Sequence, residues 1–474
     1  LPPDALRSTA KSSQPQIVLP DIEQKVRMPE TATVSRSTAT RTSDGLHQNT
    51  PVLSVSVVSN VNHFDDLREE WSSLVERAHV TIFQTFEWQR TWWKHYSTKR
   101  FSLHIIVIRN GSRIVAIAPL YIEKAHAMGI ISVRKLTFIG SGITDYLDFI
   151  IEPEWEERCI TEIAQELARS TSRIDTIHLL DIPERSTNHR LLYEALSTRG
   201  FRGSHFINEY CPRLQLLGSW EETLASFPSA KQKRFRQVSK KIETDFAVDL
   251  QIASEKDSIS SEFDEFFALH QKRWRDSGHT GVLADPRALA FHREVVALFF
   301  DRHMLFLAFL TLNGERVAAN YSFLFHGECY HYLSGIDMRK DLEKYSVGRI
   351  LQIYSIAAAA RAGATVYDFM RGPEEYKYYF NSVDANNWAV LMYRSNSNWI
   401  EKKYKFILLF HSLQRRLTRE RLLLKRVVAE HGLFSQAMLN HLQERWRTNL
   451  VEGERKLKAP EKSLLQGEKE KNTQ

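Results

Sequence analysis

Between Lys344 and Phe380 the chain reads KYSVGRILQIYSIAAAARAGATVYDFMRGPEEYKYYF, a stretch that gathers the residue types needed for polar chemistry. Ser346 is a good N-cap residue ahead of an Ala-rich helix former, Ile350 to Ala360, and Gly348 falls in the first turn. Ser346, Val347, Gly348 and Arg349 thus make a helix start where an anion, a pyrophosphate for example, can approach unpaired N–H groups at the positive end of the helix dipole. Gly363 ends the helix, and Ala364 to Phe369 reads as a short apolar strand broken by Asp368. That carboxylate is expected near the strand's C-terminal end, where ligands of open sheets gather. Arg371-Gly372 follows as a turn that aims a guanidinium at a substrate carboxylate or phosphate, with a structural salt bridge as the alternative. Glu375, Tyr376, Lys377 and Tyr378 complete a polar and aromatic cluster.

Other candidates lie upstream. His270, Arg273 and Trp274 share a helical face at i, i+3 and i+4, a possible cleft wall for a sugar or acyl group, although Trp274 alone reads as core. Asn320 stands in an apolar strand, so its amide either binds substrate or ties down backbone. In KQKRFRQVSKK (Lys231 to Lys241) a helix would put Phe235, Val238 and Ile242 on one side and the cations on the other, a solvated face first and a phosphate or nucleic-acid contact second.

The elements that must position these residues come in two copies. An aromatic helix, FQTFEWQRTWW (Phe83 to Trp93), precedes the strand LHIIVI, the turn Asn110-Gly111 and the strand IVAIAPLYI. A second, FDEFFALHQKRW (Phe263 to Trp274), precedes LFLAFLTL, Asn313-Gly314 and VAANYSFLF. Asn-Gly between alternating apolar runs signals a type I′ hairpin. Each copy later has a helix and a strand ending in Asp, IHLLDIP with Asp181 and VYDFMRG with Asp368. The expected organisation is a Ser/Thr/Pro/Gln-rich disordered segment at 1–51, a first α/β unit at 52–217, a second at 218–393, and a basic helical extension with a frayed tail at 394–474. Only the second unit carries the Ser-Val-Gly-Arg helix start and the Tyr-Lys cluster, so it is expected to hold the cofactor while the first shapes or supports the substrate cleft.

Composition sets bounds. A chain of 474 residues exceeds one ordinary core, and 43% hydrophobic with 26% charged residues fits a soluble globular protein. Three cysteines lack CxxC spacing, so neither a disulfide framework nor a metal site is expected. No apolar window reaches the roughly 18 residues needed to span a bilayer, no signal core is seen, and a reducing cytoplasm is the expectation. The net charge of +7 suits an anionic coenzyme and is mild for a protein that binds nucleic acid over a large surface. The C-terminal basic helices are expected to pack back on the body or to form a dimer or partner contact.

The motifs FQTFEWQRTWW, HQKRW, NGERVAANYSF, YHYLSGID with YSVGRIL, and YDFMRGPEEYKYYF together resemble the GNAT-superfamily acetyltransferases of the CelD-like, BioF-associated type, relatives of the Fem-type aminoacyltransferases. The resemblance covers about 52 to 393. It implies an α/β fold of tandem GNAT-like domains with mixed sheets flanked by helices, an acyl-CoA donor with acetyl-CoA favoured, and for several members a setting in exopolysaccharide or cellulose synthesis. The chain departs from the common Arg/Gln-x-x-Gly-x-Gly/Ala pyrophosphate loop and offers only Tyr345 to Arg349. Acyl transfer needs a base and a proton donor for the leaving thiolate. Asp368 or Glu375 is the candidate base, directly or through water, and Tyr376 or Tyr378 the donor; the plain reading makes Asp368 a cap or a partner of Arg371, and the tyrosines core. His270, Arg273, Trp274, Asn320, Arg371 and Lys377 are the residues assigned to a small-molecule or saccharide acceptor. Two rivals stand beside this reading: a Fem-type aminoacyltransferase using aminoacyl-tRNA, and a non-catalytic scaffold of a polysaccharide-synthesis complex.

Overall fold

Alternating apolar residues at Leu53, Val55 and Val57 open the regular structure, in a computed structural model that describes residues 52–127, 131–170, 173–276 and 281–394. Strand β1 (Leu53–Val58) pairs with β3 (Ile105–Asn110), β3 with β4 (Arg113–Ala118), and β4 with β7 (Ile150–Ile151), forming a four-stranded sheet. Two runs expected as single strands are each broken. One stops at His104, between β2 (Phe101–Leu103) and β3; the other stops at Pro119, between β4 and β5 (Leu120–Ala127). Pro119 has no N–H for a ladder, so the chain changes sheet there, and β2 pairs with β5 in the larger sheet.

The two Asn-Gly hairpins differ in register. Leu312 pairs with Glu315, leaving Asn313 (φ 52°) and Gly314 (φ 85°) as the left-handed pair of a type I′ turn between β11 (Leu305–Leu312) and β12 (Glu315–Phe325). In the first copy Asn110 itself pairs with Arg113, so the loop is Gly111-Ser112 and only Gly111 is left-handed. Both hairpins carry a register shift just before the turn, between Ile108 and Arg109 and between Leu310 and Thr311, and the Asn-Gly pair sits one residue earlier in the first.

The larger sheet has eleven strands in the order β10-β11-β12-β13-β14-β9-β15-β8-β6-β5-β2. Here β6 is Ile131–Phe138, β8 Thr176–Pro183, β9 Phe201–Gln215, β10 Val248–Ile252, β13 Glu328–Ile336, β14 Val366–Asp368 and β15 Val383–Arg394. Its centre is an exchange. β9, the last strand of the first unit, pairs antiparallel with β14 of the second through Arg213 to Gln215. β15, the last strand of the second, pairs with β8 of the first, and β9 and β15 pair with each other along most of their length. Strands from both of the segments expected as separate units therefore lie in one hydrogen-bonded sheet.

Helices cover both faces. Thr85 caps α3 (Phe86–Tyr96) by accepting the N–H of Trp88, and the buried Trp88 and Trp92 pack into one aromatic core with Phe263 and Phe266 of α8 (Ile259–Asp276) and Phe291 and Phe299 of α9 (Pro286–Asp301). Each such ring contributes on the order of 1.5–3 kcal/mol through burial. On the opposite face α10 (Val347–Arg361) is buried along Ile350, Ile353, Tyr354 and Ala357 to Ala360. It ends at left-handed Gly363 in a Schellman motif, with the Ala364 N–H on Ala359 O and the Gly363 N–H on Ala360 O. Cys159, Cys211 and Cys329 are buried free thiols. Among the described residues no helix is long and apolar enough to cross a membrane. Segment 1–51 and the C-terminal extension from 395 onward, read from sequence as disordered and helical, lie outside the described residues.

Candidate active site

The exchange sets up a wedge. β13 runs parallel to β14 only from Glu328 to Tyr330, paired with Val366 to Asp368. Beyond that point the register of β13 against β12 slips, with Tyr321 opposite Leu333 and Ser322 opposite His331, so Tyr332 is the extra residue of a bulge. Residues 331–336 pair with β12 alone, and β13 parts from β14. Gly335 is needed here, since a Cβ would lie 2.6 Å from the backbone nitrogen of His270 where α8 crosses the strand.

At the open end of the wedge α10 begins. Ser346 occupies the N-cap position as expected, but in the left-handed region (φ 54°, ψ 49°), and its hydroxyl does not cap the helix. Its carbonyl instead accepts the N–H of Arg349 at 2.8 Å. The first-turn N–H groups of Val347 and Gly348 thus have no side-chain cap. A Cβ on Gly348 would meet only the Cδ1 of Ile336, at 2.8 Å. This uncapped turn on a glycine fits a pyrophosphate, and Ser346 to Arg349 are the residues that would hold one. Tyr376 sits on the short helix α11 (Glu375–Tyr379), 43% exposed, with its ring 6.4 Å from that of Phe369. Desolvation and Glu374 push its hydroxyl pKa up, while Arg273 at the end of α8 opposes the shift. Glu375 is exposed. The hydroxyl of Tyr378 is held by Asp384 at 2.7 Å.

Asp368 ends β14 and is 1% exposed. One of its oxygens accepts the Met370 N–H at 2.7 Å, and the other accepts the Tyr146 hydroxyl at 2.8 Å and faces Arg213 Nε at 3.1 Å. The expected cap is present, but the ion-pair partner is Arg213 of β9, brought in by the strand exchange, and not Arg371. Burial raises the pKa of Asp368 from 3.8 to about 6 against the pull of Arg213 and Tyr146. Asp368 and Tyr146 line a cavity of about 250 Å³ between the two units, with Arg185, Arg213 and Glu328 on its other walls. Glu328 joins both arginines, at 2.7 Å and 2.5 Å. Burial would raise its pKa, but the two cations reverse the sign and hold it below the usual value.

Several assigned binding residues have structural partners. The Arg371 guanidinium lies 2.9 Å from Asp145 and 3.7 Å from Asp181, both from the first unit. Burial pushes the Asp181 pKa up to about 7 despite Arg371. Lys377, read as a substrate ligand, is 3% exposed, and its ammonium donates to the carbonyls of Met370 and Arg371 at 3.0 and 2.7 Å, holding a turn in which Met370 is left-handed (φ 63°). Asn320 ties side chains and not backbone: it donates to Ser355 Oγ and accepts from Gln352, whose amide also reaches His331 and the Tyr367 hydroxyl. His270 is 1% exposed, with Nδ1 on the Ser334 carbonyl at 2.8 Å, which ties α8 to β13, while its buried Nε2 has no hydrogen-bond partner among the described residues. Arg273 and Trp274 remain half-buried at the end of α8.

Sequence reasoning passed over Tyr146, Asp145, Arg185 and Arg213. Tyr146 and Asp145 belong to the segment GSGITDYLDF, in which Ser141, Thr144, Asp145 and Asp148 interrupt an apolar run after β6. That interruption was the available signal.

The family model of the acetyltransferase (GNAT) domain matches residues 229–378, the segment that contains α10, β14 and α11. No curated protein matches the chain. Among solved structures the chain is similar to FemX (TM-score 0.49, 11% identity, covering 68% of this chain and 95% of that one) and to L-PGS from Bacillus licheniformis (TM-score 0.43, 12% identity, 70% and 92%). It is also similar to a tandem GNAT protein from the clavulanic acid biosynthesis pathway (TM-score 0.39, 10% identity, 72% and 98%).

Proposed function

We propose that the protein transfers an acyl group, acetyl in the first instance, from acyl-CoA to an amine or hydroxyl of a saccharide or other small acceptor. The observation that carries this reading is the buried Asp368 joined to Tyr146 on the wall of a cavity, at the strand where β13 and β14 part. Supporting it, the GNAT-domain match spans the uncapped start of α10. Division of labour follows the two units: Ser346 to Arg349 hold the donor, and the cavity between the units takes the acceptor.

Bound CoA supplies an activated acyl carbonyl. The reading requires the donor's acyl group to reach the Asp368 cavity, where two reactants held together escape most of the entropic cost of meeting. Asp368 receives the acceptor's proton, through the Tyr146 hydroxyl that already hydrogen-bonds to it. Tyr376 gives a proton to the departing sulfur, with Arg273 nearby to stabilise the phenolate left behind. Arg371 and Lys377 position the β14 turn and touch neither reactant. The resemblance to CelD-like proteins supplies the setting: exopolysaccharide, cellulose or cell-envelope synthesis, in the cytoplasm, with the C-terminal extension as a dimer or partner contact.

Calorimetry of the full chain with acetyl-CoA and with free CoA tests the reading. Micromolar binding, followed by thiol release with amino-sugar acceptors, is the expected result; no heat at millimolar donor overturns it.

A further inference from the structure

Helix α7 (Ser229–Asp245) buries Phe235, Ser239 and Ile242 and turns most of its cations outward, the solvated face expected from sequence. Two of those cations are placed otherwise. Arg234 lies 5.4 Å from the centre of the Tyr379 ring, and Arg349 of α10 lies 3.9 Å from the same centre. Lys231, one helical turn before Arg234, reaches the Tyr378 carbonyl at 3.3 Å and the Asn381 side chain at 3.4 Å. Three cations from two helices thus converge on the end of α11. Among the described residues no carboxylate lies within ion-pair distance of any of them, although most arginines elsewhere in the fold have one. Like charges held around one ring without a counter-ion repel each other and are relieved by an anion. Burial lowers the pKa of Arg349, with Tyr379 opposing the shift and Arg234 adding to it.

We propose that Lys231, Arg234 and Arg349 form a phosphate-recognition site that reads the ribose 3′-phosphate of coenzyme A, next to the α10 turn assigned to the pyrophosphate. The proposal rests on the acyl-CoA reading above and adds a specificity to it: the protein distinguishes CoA from 3′-dephospho-CoA. A nucleotide with phosphates at both positions matches an arrangement in which a helix start and a separate cation cluster share Arg349. Arg234 and Lys231 come from a helix that precedes the first strand of the second unit, so the recognition is built outside the wedge itself. The alternative partner for such a cluster is an RNA backbone, which the same experiment separates.

The test is calorimetry of the full chain with CoA and with 3′-dephospho-CoA, in the wild type, Arg234→Glu and Lys231→Met. The expected result is CoA binding at least about tenfold tighter than its dephospho form, equivalent to ~1.4 kcal/mol. In Arg234→Glu, a change at an exposed position, the ratio falls to about one while dephospho-CoA affinity is kept; Lys231→Met lowers it partway. Equal affinity for the two ligands in the wild type overturns this inference and leaves the acyl-CoA reading standing. Failure of both ligands to bind overturns both. Salt-sensitive binding of a tRNA acceptor stem in place of either ligand, lost in Arg234→Glu, assigns the cluster to RNA instead.

Discussion

The hydroxyl of Tyr146 donates a 2.8 Å hydrogen bond to the carboxylate of Asp368, joining a loop of the first unit to a strand of the second across 222 positions of sequence. The bond lies at the wall of the cavity between the units, and it makes the first unit part of the proposed chemistry and not only its support.

Replacing Tyr146 by Phe removes the relay and leaves the ring's packing in place. The expected loss in kcat is about 100-fold, the lower end of a general acid–base contribution. Donor affinity measured by calorimetry is expected to stay within about twofold, because Ser346 to Arg349 are untouched. An unchanged kcat removes Tyr146 from the mechanism.

The pH dependence separates activity from stability. With its pKa raised to about 6, Asp368 is ionised and able to act as base only above that value, so kcat/KM is expected to rise with a midpoint near pH 6, a limb absent in Asp368→Asn. Stability moves the other way. Asp368, Asp148 and Asp181 all have folded values above 3.8, at about 6, 7 and 7, so the folded state holds their protons more tightly than the unfolded chain. That contribution is complete below about pH 4 and is lost as pH rises through 6 to 7. Thermal midpoints at fixed ionic strength should show a downward contribution over this window, blunted in Asp181→Asn.

The helix start can be probed on one residue. Gly348→Glu places a negative charge where the pyrophosphate is proposed to sit, and donor binding is expected to vanish by calorimetry with the circular dichroism melt little changed. Gly348→Ala meets only the movable end of Ile336 and is expected to retain its fold. Normal donor affinity in Gly348→Glu would move the donor elsewhere.

Lys377→Met tests the structural role assigned to that ammonium. The buried Met370 carbonyl and the part-buried Arg371 carbonyl lose their donor and Glu374 its 2.8 Å ion-pair partner, at roughly 1–3 kcal/mol for a buried group left unsatisfied. The urea midpoint should fall accordingly. A variant as stable as the wild type would return Lys377 to the list of substrate ligands.

Much of the fold was readable because it rests on local rules. Hydrophobic periodicity places α8 and α10, Gly363 ends α10, and Asn313-Gly314 turns where the two-residue rule puts it. The breaks at His104 and Pro119 come from changes of sheet, which depend on partners far away in sequence. The site divides in the same way. The start of α10 and the position of Asp368 are local and were legible. Arg213 and Tyr146 were not, because strand exchange and a loop from the other unit deliver them, and no spacing rule reports on either. Asn320, His270 and Lys377 carry the polar signature of a site and also make internal ties, which only their partners reveal.

The exchange of β9 and β15 also has a consequence for biosynthesis. Until residues 383–394 have left the ribosome, β8 lacks its neighbour and the first unit carries an unpaired, aggregation-prone edge. Closure waits on a contact between chain segments some two hundred residues apart, a separation that slows folding. A fragment ending before β15 should therefore be recovered insoluble even though it contains every residue from 52 to 217.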